Sequence, residues 1–269
     1  MGESAPVVVH PTAVVDRTAE LGPGVEIGPY AVIHARVRLG AGTKVGAWAG
    51  VGPNVVTGSD NVIHAHAAVG GDPQDKGWKG EETWLILGDG NHVREFATLN
   101  RGTMKSEGVT RVGHRNLLMA CSHVAHDCTV GDGCVLANNV LLAGHVHVED
   151  GAILNGAAGV QQFATIGRLA YVGGLTRIVH DVPPFMIVEG NPSKVRKPNI
   201  VGLQRAGIPE ARIAAIREAH RNLFRSKQPQ AEILEALEGR ADLEPEVLEL
   251  VAFLRRVEDG ANGRARERK

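Results

Sequence analysis

The sequence predicts a mainly β protein, a parallel β-solenoid followed by a C-terminal α-helical domain. Three observations predict it: an apolar residue returns at every sixth position over most of the chain, aromatic residues are scarce beside abundant glycine, and the period becomes helical after Pro198. The sixfold pattern starts at Val9 and runs through Val15, Leu21, Ile27, Ile33, Leu39, Val45 and Val51, lapses at Thr57, and resumes at Ile63 and Val69. A period of six is neither that of a helix nor that of a plain strand, so each unit is a short strand followed by a turn. Three units close a triangle, and each coil stacks on its neighbour at the ~4.8 Å strand spacing. The anchors then point into a narrow prism. Its interior has no room for rings, which accounts for 34 glycines and an aromatic content of only 4%. Glycines that directly follow an anchor, such as Gly22, Gly28 and Gly40, are expected to take the turns.

The register returns at Leu87, Val93 and Leu99 and then runs unbroken from Val112 to Ile178. Residues 71–86 and 100–111 fall outside it and are expected to be loops leaving one face, because a solenoid accommodates insertions only in that way. Such loops reach for a ligand or a partner, or else are merely mobile. The first holds Gln74, Asp75 and two of the three tryptophans, Trp78 and Trp84. Cys128 and Cys134 take the small inward position of their units and belong to the core rather than to chemistry. The pattern stops at His180-Asp181-Val182-Pro183-Pro184, so residues 1–198 are assigned to the solenoid and 199–269 to a helical domain. Within the latter, residues 210–225 carry Ile213, Ile216, Ala219 and Leu223 at helical spacing, and residues 233–237 and 247–254 continue in kind after Pro229 and Pro245. The Gly- and Arg-rich tail, 259–269, is expected to be disordered.

A formal charge of -1 lacks the basic excess of nucleic-acid or anionic-membrane binders. Three cysteines without framework spacing suit reduced thiols. No apolar run reaches the ~18 residues of a membrane span and no signal-peptide pattern opens the chain, so a soluble cytoplasmic protein is expected.

Residues one coil apart lie above one another, and His126, Gly144 and Gln162 are spaced in that way, with His145 beside Gly144 and His123 three places before His126. An imidazole with a pKa of about 6.5 can act as general base on a hydroxyl near neutrality. A glycine N–H lets an acyl oxyanion approach the main chain closely. Two other readings of the same residues stand beside this one. Histidines at exposed turns can simply bond locally, and the three imidazoles of His123, His126 and His145 would suffice for an open zinc site of hydratase type.

The run Ser122-His123-Val124-Ala125-His126-Asp127-Cys128-Thr129-Val130-Gly131, with Leu142-Ala143-Gly144-His145-Val146, Gln162-Phe163, Val172-Gly173-Gly174, Gly190-Asn191 and Asn100-Arg101-Gly102-Thr103, resembles the hexapeptide-repeat acyltransferases, in particular the UDP-N-acetylglucosamine O-acyltransferases of lipid A synthesis. The resemblance spans nearly the whole chain. It implies a left-handed parallel β-helix and transfer of an (R)-3-hydroxyacyl group from acyl carrier protein to the 3-hydroxyl of UDP-N-acetylglucosamine, by a homotrimer that needs neither metal nor cofactor beyond the carrier's phosphopantetheine. It further implies His126 as base, Asp127 as its orienting partner and Gly144 as oxyanion donor. Gln74, Asp75, His123, His145 and Gln162 would contact sugar or acyl group, and Asn199 and Arg205 the nucleotide end. Gly174 would leave the chain-length position without a side chain, while Tyr171 could shorten the acyl path. Departures from the family pattern are Gly77 for a lysine, Gln161 for a histidine, Val201 for an acidic residue and Ala206 for an arginine. An acidic carrier protein needs a basic landing surface, and Lys194, Arg196, Lys197, Arg205, Arg212, Arg217 and Arg221 are the candidates. Related sugar N-acyltransferases and acetyl-CoA-dependent acetyltransferases are the competing enzymes.

Overall fold

Strands of mostly two residues alternate with turns, and in most the first residue faces out and the anchor faces in: Glu26 is exposed and Ile27 buried, Lys44 exposed and Val45 buried, Thr129 exposed and Val130 buried. The structure, a computed structural model, describes residues 5–263. Its solenoid strands form three parallel sheets, the walls of a prism, beginning with Val8–Val9 in the first wall, Val14–Val15 in the second and Glu20–Leu21 in the third. Val14 pairs with Val32, and His123 with Leu141, which in turn pairs with Gly159, so one coil consumes three hexads. From Ile27 onward the anchors are at most 3% exposed, except Thr57 at 6%. Burying each aliphatic chain contributes about 1.5–3 kcal/mol, and the repeat supplies one per strand. Thr57 is tolerated because its hydroxyl donates to Gly58 O and accepts from Gly40 N–H.

The glycines after the anchors serve a different purpose from the one expected. The left-handed conformation falls three places after an anchor, at residues as bulky as Tyr30, Trp48, Asp127, His145 and Phe163. Gly40, directly after Leu39, is required by close approach: a Cβ there would lie 2.3 Å from Gly58 C in the next coil.

Both irregular segments are narrower than their loss of register suggests. Trp84–Leu87 and Val109–Val112 are strands paired with each other over four residues, leaving loops at 72–83 and 101–108. The sixfold pattern ends by Pro184, but strand pairing continues within the residues assigned to the solenoid. Met186–Glu189 adds a further parallel strand beside Tyr171–Val172 and turns back as a hairpin with Lys194–Pro198. Helix α1 (Ile200–Arg205), not foreseen, follows, and then α2 (Glu210–Arg225), α3 (Gln230–Glu238) and α4 (Pro245–Glu258). These pack a second core around Phe185, Met186, Leu203, Ile216 and Phe253. Arg168 of the solenoid forms a two-pronged pair with Glu249 of α4, fixing the helices on the prism. Of the tail expected to be disordered, residues 259–263 are folded back, with Ala261 and Asn262 N–H groups donating to Arg256 O; the remainder lies outside the described residues. No described helix is long and apolar enough to cross a membrane.

Candidate active site

Both loops and the predicted stripe leave the prism at the same corner, where the second wall turns into the third. Loop 72–83 joins Ala68–Gly71 to Trp84–Leu87, loop 101–108 joins Thr98–Asn100 to Val109–Val112, and in the next three coils that corner holds His126, Gly144 and Gln162. They enclose a cleft of about 710 Å³ lined by Gln74, Asp75, Lys76, Lys105, His126, Asp127, His145, Gln162 and Phe163, among others.

At its base Asp127 lies in the left-handed conformation (φ 59°), and this turn, unlike a strand, lets two neighbouring side chains meet. His126 Nδ1 is 2.8 Å from Asp127 Oδ2. Asp127 also accepts from the Thr103 N–H (2.8 Å) and the Thr103 hydroxyl (2.6 Å), while its own N–H donates to Thr110 Oγ1 (2.8 Å). Burial works against the charged carboxylate, but hydrogen bonds from His126 and Thr103, with His145 nearby, outweigh it and hold the pKa below the ordinary aspartate value. An ionised carboxylate can only accept, so the imidazole proton sits on Nδ1 and Nε2 is left as a base toward the cleft. His145 Nε2 is 3.6 Å from Asp127 Oδ2, and its ring meets that of His126 edge-on and stacks on Phe163 at 4.5 Å.

Gly144 lies against the base. A Cβ there would be 2.6 Å from His126 Cε1, so no other residue fits without moving the imidazole. Its N–H donates to no acceptor among the described residues. An unengaged N–H beside the base is what stabilisation of an acyl oxyanion requires.

The loops are braced rather than loose. Arg101, buried in the second loop, pairs with Asp72 of the first and lies over the Trp78 ring at 5.7 Å. Lys105 grips Asp75, whose pKa is lowered first by that hydrogen bond and then by the Gly77 N–H. Asp75 Oδ2 stands 3.9 Å from His126 Nε2.

The cleft of one prism thus gathers Gln74, Asp75, His126, Asp127, Gly144, His145 and Gln162. His123 does not join it. It lies on the second wall, its Nδ1 2.7 Å from Thr98 Oγ1, in a separate groove with Leu141, Gly159, Gln161 and Arg177. The three imidazoles weighed for a zinc site are therefore not assembled. The group whose donor atoms fall within 4.8 Å of one another is His126, Asp127 and His145. Gly174 and Tyr171 belong to a later coil near the corner of the first and second walls. Asn199 caps α1, its Oδ1 accepting from Gly202 N–H and its Nδ2 donating to Leu169 O, and Arg205 ends the same helix exposed. Three members of the basic surface are neutralised, Arg212 by Glu246, Arg217 by Glu210 and Arg196 by Glu189. Burial pushes the Cys134 thiol up to about 12, so it is no nucleophile. Sequence reasoning missed Thr103, Thr110, Lys105 and Phe163. Phe163 was legible, one coil beyond His145; the others sit on or beside aperiodic loops.

A family model described as UDP-N-acetylglucosamine O-acyltransferase, domain 2, matches residues 181–262, and one described as bacterial transferase hexapeptide (six repeats) matches residues 110–144. The chain is similar to the acyl-(acyl-carrier-protein)–UDP-N-acetylglucosamine O-acyltransferase of Anaeromyxobacter dehalogenans, 45% identical over 249 residues that cover 93% of this chain and 97% of that one. The enzyme of the same description from Synechocystis sp. is 48% identical over 185 residues, 69% of this chain and 66% of the relative, just under two thirds of its length. Among solved structures, the UDP-N-acetylglucosamine acyltransferase of Bacteroides fragilis superposes with a TM-score of 0.91 at 34% identity, covering 95% of this chain and 99% of that one.

Proposed function

Because this chain belongs to the family of acyl-(acyl-carrier-protein)–UDP-N-acetylglucosamine O-acyltransferases, we propose that it moves an (R)-3-hydroxyacyl group from acyl carrier protein to the sugar 3-hydroxyl, the first step of lipid A synthesis, with His126 as general base. The observation that carries the residue roles is the His126–Asp127 pair set directly against Gly144. His126 Nε2 takes the hydroxyl proton as the sugar oxygen attacks the thioester carbon. The oxyanion is met by the Gly144 N–H, and the intermediate collapses by expelling the phosphopantetheine thiolate, which takes the proton from Nε2. Asp127 holds the proton on Nδ1 throughout and stabilises the imidazolium. Gln74, Asp75, His145 and Gln162 orient the acceptor, which is worth several kcal/mol of barrier.

The remaining assignments need a neighbouring subunit. The outward residues of the second wall include Val14, Ala68 and Leu141, those of the upper first wall Leu117, Val135 and Ile153, whereas the third wall shows Glu20, Arg38 and Arg111. Along the corner between the first and second walls the rings of Tyr30, Trp48, His66 and Phe96 stack in sequence, and Tyr30, Trp48 and Phe96 are about half exposed. A largely apolar second wall bordered by an aromatic edge supports a homotrimer in which that edge is inward. In such an assembly His123 faces a neighbour's cleft, Arg205 reaches the nucleotide end, and Asn199 serves by capping the helix that carries it. Gly174 leaves the acyl path open to a long chain. Lys194, Lys197, Arg205 and Arg221, which form no ion pair among the described residues, make the carrier-protein landing surface.

The test is to offer purified protein UDP-N-acetylglucosamine with hydroxyacyl carrier-protein thioesters or acetyl-CoA. Ester product is expected from the carrier thioesters, and product from acetyl-CoA alone overturns the assignment. His126→Ala is expected to keep the fold and lose at least ~100-fold in turnover.

A further inference from the structure

Lys105 crosses from one loop to the other, and its ammonium lies 2.7 and 2.8 Å from the two oxygens of Asp75. The space it fills is the one a side chain at residue 77 would take: a Cβ on Gly77 would stand 2.9 Å from both Lys105 Cε and Nζ. The Gly77 N–H donates to Asp75 Oδ1 at 2.6 Å, so that oxygen is held twice while Oδ2 faces His126 Nε2 at 3.9 Å. A glycine on one loop and a lysine on the other therefore form a reciprocal pair around a carboxylate at the mouth of the cleft.

We propose that Lys105 is a positioning residue for acyl transfer: it holds the Asp75 carboxylate as an acceptor for the incoming sugar hydroxyls and offsets its charge beside His126. The groups facing His126 are Asp127 and His145 from its own corner and Asp75 with Lys105 from the loops, while His123, in its separate groove on the second wall, is near enough to be influenced by its charge. With Lys105 in place, Asp127 is the one uncompensated carboxylate in contact with the imidazole. Without it, Asp75 becomes a second. Two carboxylates favour the imidazolium, which has no lone pair with which to accept the hydroxyl proton. The inference rests on His126 being the base, and it adds a residue from the aperiodic part of the chain.

The experiment is steady-state kinetics across pH on the full chain for Lys105→Ala, Lys105→Arg, Lys105→Gln and the exchange of Lys105→Gln with Gly77→Lys. Lys105→Ala is expected to raise KM for UDP-N-acetylglucosamine about tenfold, with a smaller change in kcat, through loss of acceptor orientation. It should also move the acidic limb of kcat/KM to higher pH. Lys105→Arg and the exchange variant should restore both properties. Lys105 is more than half exposed, so the variants are expected to fold, and calorimetric binding of the acceptor gives a readout independent of turnover. Unchanged KM and pH profile in Lys105→Ala, or an exchange variant no better than Lys105→Gln alone, would overturn the proposal. Retained activity in His126→Ala would instead remove the base assignment, which separates the two failures.

Discussion

At the scale of single residues, titration is decided by what each side chain faces. His123 has its pKa lowered first by burial and then by the nearby His126, and burial leads the same downward shift in His64 and His220. The unfolded chain takes up these protons near pH 6.5 while the folded one refuses them until lower pH, so folding is disfavoured as pH falls from about 6.5 through the folded pKa values. Denaturant midpoints measured across that window are expected to fall on acidification, and His123→Gln should flatten the slope; an unchanged slope would mean that His123 titrates normally. Asp127 shifts in the same downward direction for a different reason, its hydrogen bonds, and its contribution is lost only as pH falls below the ordinary carboxylate range.

Among elements, the coils that carry loops differ from the regular ones. The pairing interval widens from eighteen to thirty residues between Val62 and His92 and to twenty-five between His92 and Leu117. At these coils the small inward position is filled by asparagine. Asn91 N–H and Nδ2 both donate to Asn61 Oδ1, Asn116 N–H donates to Asn91 Oδ1, and Cys134 N–H to Asn116 Oδ1. This buried column stitches together rungs whose corner has been opened, and it is fully aligned only in the native register. Asn91→Ala would leave the Asn116 N–H stranded in the core, at about 1–3 kcal/mol for the unsatisfied group. Urea unfolding is expected to show a loss in that range, and loop-dependent activity should fall at temperatures where the regular coils still give a β signal. The asparagines stand in the sequence at the right period, but their spacing alone does not mark them as a ladder. Only the stacking shows that each one answers the next.

For the whole molecule, the second wall matters most: its outward residues are largely apolar, among them Val14, Ala68 and Leu141, and stacked rings run along its edge with the first wall. Trp48→Glu at the exposed centre of that edge is expected to lower the solution mass toward that of one chain, measured by light scattering, while leaving the β signal unchanged. A mass identical to wild type would exclude this edge from the assembly. The sequence by itself determined the solenoid, its coil length and the alignment of His126, Gly144 and Gln162, because a strict period translates directly into position when each rung can pair only with the next. It also revealed α2, α3 and α4, whose apolar faces repeat at helical spacing. Tertiary structure alone decided the rest: that loops of no period close over the same corner, that Thr103 and Lys105 meet Asp127 and Asp75, that His123 turns onto another wall, and that α1 exists at all. Contacts between segments that share no repeat are set by where the chain comes to rest, and nothing local in these residues encodes that place.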